Sequence, residues 1–129
     1  MFSQTTEYAL RAMTCLAESH GQLIPTPALA KRANVPENYL AKVLQLLSGA
    51  NLIVGRRGVG GGYRLARPAS DISMLDVVNA VDSISRTPLE AAEPSLAALN
   101  ERLEDSIRLV VAGFSSCTLQ ELTTENATT

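Results

Sequence analysis

A glycine-rich basic tract is the feature that most restricts the fold of this 129-residue chain. Residues 55–62 read Gly-Arg-Arg-Gly-Val-Gly-Gly-Gly, and glycine weakens helix and strand interiors because it loses much conformational freedom on folding. A β-branched run, Leu-Ile-Val at 52–54, precedes the tract, and residues 63–66 alternate as in a strand. These features predict a β-hairpin with a positively charged, glycine-rich tip.

A phosphate-binding loop is the main alternative for such a tract. The dinucleotide fingerprint needs the pattern G-x-G-x-x-G at the start of a helix. Here Gly58 and Gly60 are followed by Tyr63 where the third glycine should stand, and the pattern that follows is that of a strand. The P-loop signature fails too, because the chain has no lysine beyond Lys42. We therefore expect no nucleotide site here.

Three helices are predicted ahead of the hairpin. The first spans residues 4–19, with an apolar stripe of Tyr8, Ala12, Cys15 and Leu16 that Ala9, Leu10 and Met13 broaden. The second spans 27–33 with Thr26 as its N-cap, and the third begins at Pro36 and closes at Gly49. The third helix has apolar positions at helical spacing, Leu40, Val43, Leu44 and Leu47. Two short helices around a tight turn match a helix-turn-helix, although any helical hairpin gives the same pattern. The hairpin directly behind them favours a winged helix-turn-helix.

The chain after the hairpin predicts a short helix, a loop and a long helix. Ser73, with Asp76 three residues later, resembles a capping box at the start of a helix that ends near Asp82. The buried face of that helix is expected to be Leu75, Val78 and Val81, together with Val77. Residues 83–94 contain two prolines and predict a linker loop.

The long helix covers residues 95–114, and its apolar residues recur every three or four positions. They are Leu96, Leu99, Leu103, Ile107, Val110 and Phe114. This spacing is typical of the seam of a coiled-coil-like helix pair, so it predicts a dimer interface. The alternative is that the seam packs on the chain's own core. The tail to Thr129 is expected to add one helical turn before it frays.

Charge is divided unevenly along the chain. Residues 1–70 carry eight basic and three acidic side chains, a balance of +5. Residues 71–129 carry three basic and ten acidic side chains, a balance of −7, so the net charge is −2. A basic first half indicates a surface that binds a polyanion, although chance segregation of solvated charges would look the same.

Composition argues against several classes of protein. With one histidine and no visible acid–base or metal triad, the chain is not expected to be an enzyme. Two cysteines make neither a disulfide framework nor a zinc site, and reduced thiols in the cytoplasm are the simplest interpretation. No membrane span is expected, because the apolar runs are far shorter than the roughly 20 residues required. No secretory signal is expected either, since Glu7 and Arg11 interrupt the first apolar stretch.

Five stretches carry a resemblance to a known family. They are Glu-Tyr-Ala-Leu-Arg-Ala-Met at 7–13, Val-Pro-Glu-Asn-Tyr-Leu at 35–40, Gly-Val-Gly-Gly-Gly-Tyr-Arg-Leu-Ala at 58–66, Ile-Ser and Asp-Val-Val within 72–78, and Thr-Leu-Gln-Glu-Leu at 118–122. In this order they resemble the Rrf-two family of winged helix-turn-helix transcriptional regulators, the IscR-, NsrR- and CymR-like proteins. The resemblance implies a dimeric DNA-binding repressor or activator with a long C-terminal helix at the dimer interface.

The sequence departs from that family at one place. Members with an iron–sulfur cluster carry three cysteines before the dimerisation helix, whereas residues 83–101 contain neither cysteine nor histidine. Cys15, Cys117 and His20 do not reproduce a cluster-binding set in any obvious way. We therefore expect no cofactor, a colourless protein and DNA binding without metal. Control would then come from a small molecule, a partner protein or a thiol.

The expected DNA contacts lie on the third helix, which enters the major groove in a helix-turn-helix, and on the wing. Asn38 is expected to pair with an adenine edge, Tyr39 to contact phosphate or base, and Lys42 to lie one turn further on. Tyr39 has a second interpretation, as a core anchor. Arg56 and Arg57 are expected to reach the adjacent minor groove or its phosphates. The other wing residues assigned to DNA binding are Gly58, Gly60, Gly61 and Tyr63.

The sequence thus predicts a cytoplasmic, homodimeric, sequence-specific DNA-binding transcriptional regulator that acts as a repressor. Residues 1–82 would form the DNA-binding domain, 83–94 the linker, and 95–129 the dimerisation helix and tail. One alternative is a winged-helix module that binds another protein and never touches DNA. Another is redox sensing through Cys15, which is either an inert core thiol or a switch activated by Arg11 one turn earlier.

Overall fold

Six helices and one β-hairpin follow one another in the computed structural model, which describes residues 3–82 and 97–128. They are α1 (Gln4–Glu18), α2 (Thr26–Ala33), α3 (Glu37–Gly49), β1 (Ile53–Arg56), β2 (Gly62–Leu65), α4 (Met74–Val81), α5 (Ala97–Ser116) and α6 (Leu119–Thr128). A single 3₁₀ turn, Ala69–Asp71, precedes α4. The predicted fold class, mainly helical with a hairpin wing and a long C-terminal helix, is confirmed. The predicted linker 83–94 and Leu96 lie outside the described residues.

Helix α1 forms the centre of the core. Ser3 caps it by accepting a hydrogen bond from the backbone N–H of Thr6. The fully buried stripe consists of Ala9, Ala12, Met13 and Leu16. These four residues all belong to the predicted stripe, but Ala9 and Met13 lie at its centre, whereas Tyr8 and Cys15 are only partly buried at its margins. Alanines on the buried face let α2, α3, α4 and α6 approach α1 closely.

The helix-turn-helix consists of α2 and α3. Asn34 ends α2 in the left-handed conformation, and the Val35 N–H donates to the Ala30 carbonyl at 2.9 Å. Helix α3 buries all four predicted residues, Leu40, Val43, Leu44 and Leu47. The predicted N-cap of α2 was wrong, since Pro25 occupies that position without a side-chain cap and Thr26 is already helical.

The wing is a two-stranded antiparallel hairpin that is tied to the chain before α2. Gly55 pairs with Tyr63, and Arg56 pairs with Gly62. Ile24 adds a bridge on the free edge of β2, where its N–H and C=O each bond to Tyr63 at 2.9 Å. Gly62 adopts φ +146°, and a Cβ there would lie 2.4 Å from the Ile24 carbonyl carbon. Only glycine lets β2 approach the backbone of Ile24 this closely, which explains why the last residue of the tract is glycine.

The C-terminal part of the chain returns to the winged domain. The predicted capping box is present at α4, where Ser73 and Asp76 exchange hydrogen bonds at 3.0 and 3.1 Å. The predicted face of α4 is confirmed at Val77 and Val78, which are fully buried. Leu75 and Val81, which were predicted to be buried, are half-buried.

A short bridge fastens the tail beside the start of α4. The Met74 N–H donates to the Cys117 carbonyl at 2.8 Å, and the Leu119 N–H donates to the Ile72 carbonyl at 2.9 Å. Leu119 is fully buried, and α6 packs against α1. The prediction of a single fraying turn after the long helix was therefore wrong, because a buried leucine anchors a ten-residue helix. Within the described ranges, no helix has the length and apolarity to cross a membrane.

Candidate nucleic-acid interface

The solvent-facing side of α3 is polar and carries a cation. Asn38, Lys42 and Gln45 are all exposed and are separated by four and three residues, so they lie on one face. The opposite face holds the buried leucines and Val43, which fix the helix to the core. Asn38 and Lys42 therefore lie where the sequence predicted. Gln45 was missed, although its position seven residues after Asn38 was a signal for the same face.

Tyr39 points to α1 and lies between these exposed positions and the core. Its phenol oxygen forms a short hydrogen bond with Thr5 Oγ1. Its ring meets Tyr8 edge to face, with centroids 5.3 Å apart and planes at 78°. These contacts join the beginning of α3 to the beginning of α1. The arrangement matches the second interpretation of Tyr39, as an anchor, and places the first turn of α1 beside the candidate interface.

Arg11 holds the turn between α2 and α3. Its guanidinium donates to the Asn34 carbonyl at 3.2 Å and to Glu7 Oε1 at 3.4 Å, and it lies 5.6 Å from the centre of the Tyr8 ring. Arg11 and Tyr8, which belong to the 7–13 stretch, thus stabilise the turn of the helix-turn-helix from α1. Arg11 counts toward the basic half of the chain, but its position gives it a structural role at the turn.

The wing presents its arginines away from the core. Strand alternation puts Arg56 on the outer face, opposite Gly62, and Arg64 on the same face opposite Val54. Arg57 follows in the exposed tip. Tyr63 has the opposite orientation: it is half-buried, and a Cβ on its strand partner Gly55 would lie 2.9 Å from its ring. The structure thus gives Tyr63 a packing role at the base of the wing.

The predicted tip glycines divide into exposed and buried positions. Gly58 and Gly60 are exposed at the tip, where Val59 also projects into solvent. Gly61 is buried under the turn, and its N–H donates to the Gly58 carbonyl at 3.0 Å. A Cβ on Gly61 would lie 2.2 Å from the Arg56 carbonyl oxygen. Gly61 therefore shapes the tip that positions Arg56 and Arg57.

The candidate interface carries positive charge that the chain itself does not neutralise. Lys42, Arg56 and Arg57 take part in no ion pair within residues 3–82 and 97–128. Ion pairs in those ranges include Arg11 with Glu7 and, on α5, Arg108 with Glu104 and Asp105. Exposed cations without internal partners can interact strongly with an external polyanion.

Helix α5 leaves two residues of its apolar stripe exposed. Leu99 is 50% exposed and Leu103 is 39% exposed, whereas Ile107, Val110 and Phe114 are half-buried. Most of its polar residues lie on other faces, including the Arg108 ion pairs. A 20-residue helix with such a stripe requires an apolar partner.

Cys15 borders a shallow depression of about 520 Å³ between α1 and α2. Burial raises the pKa of the Cys15 thiol, Arg32 lowers that pKa to a smaller extent, and Glu18 raises it. The nearby cation is thus Arg32, where the sequence suggested Arg11. A thiol with a raised pKa has little thiolate at neutral pH, which disfavours the redox interpretation.

We expect Cys15 to react slowly with iodoacetamide at neutral pH. Since its pKa is raised, the rate should keep increasing at alkaline pH values where an ordinary thiol has already levelled off. Mass spectrometry of a Cys117→Ser chain isolates this thiol, and the same chain in denaturant is the control. Equal rates for the folded and denatured chains at neutral pH would contradict the raised pKa, and a faster rate in the folded chain would show that Cys15 is an activated thiolate.

Two solved structures superpose on nearly the whole length of this chain. CymR, the global cysteine regulator of B. subtilis, superposes with a TM-score of 0.78 at 28% identity, with 97% of each chain covered. IscR of T. potens gives a TM-score of 0.76 at 26% identity and covers 98% of this chain and 88% of its own.

Sequence comparisons agree with the structural ones. A family model described as "Rrf2: Iron-dependent Transcriptional regulator" matches residues 2–125. The HTH-type transcriptional regulator IscR of Vibrio atlanticus is 40% identical over 77 residues, which are 58% of this chain and 44% of that protein. The chain spans about half the length of the curated relatives it matches.

The residues present do not fit the iron–sulfur cluster of some relatives. The whole chain has two cysteines and one histidine. Cys15 lies on α1, and Cys117 lies in the short link between α5 and α6. In the described ranges no three histidine, cysteine, aspartate or glutamate side chains come together as metal ligands would.

Proposed function

Because this chain belongs to the Rrf2 family of transcriptional regulators, we propose that it is a sequence-specific DNA-binding regulator that acts as a homodimer. The observation that carries the proposal is the joint exposure of the polar face of α3 and the arginines of the wing. The two elements belong to one packed module and carry cations without internal partners in the described chain.

In this proposal α3 reads base edges in the major groove. Asn38 has the amide geometry that pairs with adenine N6 and N7, and Gln45 offers the same chemistry two turns later. Lys42 lies between them and supplies a cation for guanine or phosphate. Tyr39 holds the helix start against α1 through Thr5, which sets the depth at which α3 enters the groove.

The wing extends the contact to the neighbouring minor groove. Arg57 at the tip and Arg56 on the outer face reach phosphates or the groove itself, and a tip without side chains at Gly58 and Gly60 allows close approach. Gly61 and Tyr63 act indirectly, by shaping the tip and the base of the hairpin. The first turn of α1 adds backbone N–H groups beside α3, a position suited to a phosphate.

The dimer would form through the exposed stripe of α5. Residues 1–82 would form the DNA-binding domain, 83–94 the linker, and 95–129 the dimerisation helix and tail. Since α6 packs on α1, a movement of α5 would be transmitted to the DNA-binding domain. A dimer bound at a promoter in the cytoplasm would repress by excluding polymerase. A small molecule or a partner protein would supply the signal.

An Arg57→Ala change should weaken operator binding by roughly 1–3 kcal/mol if that side chain inserts into the groove. Arg108→Ala removes the same charge from α5, where the ion pairs are exposed and contribute little, and should leave the affinity unchanged. A DNA titration of both variants measures the difference. Unchanged affinity in Arg57→Ala would overturn the wing assignment.

The alternative function is a winged-helix module that binds another protein. In that case the arginine-bearing wing would bury against an acidic protein surface, and DNA would be bound weakly and without sequence preference. A competition assay that adds nonspecific DNA in excess separates the two functions. A sequence-specific regulator remains bound to its operator in the presence of excess nonspecific DNA, whereas a protein-interaction module is displaced from the operator.

A further inference from the structure

A second cationic site lies at the far end of α1, away from the candidate DNA interface. There the end of α1, strand β2, the 3₁₀ turn and α6 enclose a cavity of about 360 Å³. Its floor is apolar, with Leu16 buried and Leu65 and Ala69 half-buried. This volume is at the lower end of the range of about 300–1,000 Å³ that is typical of small-molecule pockets.

The rim of this cavity is positive. Its charge comes from Arg64 and Arg67, His20 also lines it, and no carboxylate does so among the described residues. The side chains of Arg64 and Arg67 take part in no hydrogen bond or ion pair in the described part of the chain. A pair of arginines lining a partly apolar cavity matches a carboxylate attached to a short apolar body, because each planar fork can bind a carboxylate in bidentate fashion.

The cavity lies at the end of α1 that is remote from α3. Thr5 and Tyr39 join α1 to the start of α3, so the N-terminal end of α1 is the end beside the interface. Leu16 and His20 lie at the other end, and a 15-residue helix is about 22 Å long. On α1 the cavity therefore lies away from the proposed contacts of α3, whereas at β2 it adjoins the wing, whose outer face carries Arg56 and Arg64.

We propose that this cavity binds a small organic anion, with its carboxylate between Arg64 and Arg67 and its apolar part on the floor. The ligand would touch β2, which carries the wing, and Gln120 on α6, which continues from the proposed dimerisation helix. Occupation of the cavity would thus couple the wing to the C-terminal helices. This regulatory consequence rests on the proposed function, whereas binding itself does not.

The binding test is a titration of the ¹⁵N-labelled chain of 129 residues with benzoate, followed by NMR. Benzoate should give saturable shifts at residues 64–69 and at Gln120. Benzamide, which has the same ring without the charge, and inorganic phosphate, which has charge without the ring, should each bind at least about tenfold more weakly. Shifts of equal size with benzamide or with phosphate would overturn the proposal, and so would the absence of saturable shifts with benzoate.

Two variants test whether the NMR shifts come from benzoate bound at the arginines of the cavity rim. Arg67→Gln should weaken benzoate binding by about tenfold or more, because it removes one charged fork. Arg32→Gln makes the same charge change on α2, beside the Cys15 depression, and should bind benzoate like the natural chain. Equal losses in both variants would mean a general charge effect and would contradict a specific site.

A DNA titration distinguishes the failure of this site from the failure of the proposed function. Without ligand, Arg67→Gln should bind operator DNA as the natural chain does, and benzoate should change the affinity of the natural chain only. A loss of DNA affinity in ligand-free Arg67→Gln, with no benzoate shifts in the natural chain, would assign Arg67 to the DNA and overturn the pocket. Benzoate shifts in a chain that binds no DNA would leave the pocket in place and refute the proposed function.

Discussion

Raising the salt concentration from about 50 to 200 mM should weaken operator binding by roughly three to five orders of magnitude. The reason is counterion release: a dimer that engages about 6–10 phosphates frees the cations condensed on them, and added salt opposes that release. Each protomer offers Lys42, Arg56 and Arg57, none of which has an internal ion-pair partner in the described chain.

Fluorescence anisotropy of labelled operator DNA across this salt range gives the slope of the logarithm of the binding constant against the logarithm of the salt concentration. Arg57→Ala should make the slope shallower by about one unit for each phosphate that the protein no longer engages, so by about two in a dimer. Arg108→Ala should leave the slope unchanged, which controls for the net charge of the protein. An affinity that is flat in salt would contradict an interface built on these side chains.

A Leu103→Asp change should convert the dimer to a monomer and reduce operator affinity by about 10²–10⁴-fold. Leu103 is 39% exposed in the single chain and lies in the middle of the α5 stripe. At a two-fold seam the change would place two carboxylates in an apolar contact, where burial of unpaired charge is costly. The loss in affinity follows because two linked half-site contacts become two separate ones.

Leu109→Asp is the matched control for this prediction. Leu109 is 76% exposed, more than Leu103, but it lies about 120° around the helix from the predicted seam. Sedimentation velocity should therefore show a dimer for Leu109→Asp and a monomer for Leu103→Asp. An intact dimer in Leu103→Asp would refute this seam.

Local patterns predicted the elements that carry the candidate interface. The spacing of Leu40, Val43, Leu44 and Leu47 determined which face of α3 is buried and hence which face is free. The glycine tract predicted the hairpin, because turn chemistry and strand alternation depend on neighbouring residues. The Ser73–Asp76 capping box was also predictable, since both partners lie within one turn.

The remaining features depend on contacts between distant residues. Helix α1 is apolar on most sides, so its period alone did not decide between Tyr8 and Ala9 for the buried stripe. The anchoring of α6 depends on Ile72 and Leu119, which are far apart in sequence. Tyr39 likewise was open to two interpretations until its contact with Thr5 on α1 was known. The cavity at Arg64 and Arg67 has no local signature at all.

The most direct test of the central claim is selection of bound DNA from a random-sequence pool, followed by sequencing. The account predicts a dyad-symmetric motif whose half-sites lie about one helical turn apart or a multiple of it, as the symmetry of a dimer requires. Asn38→Ala should relax the motif at one position in each half-site while retaining the others. A pool that never converges on any motif, although the protein is folded and dimeric, would contradict sequence-specific DNA binding.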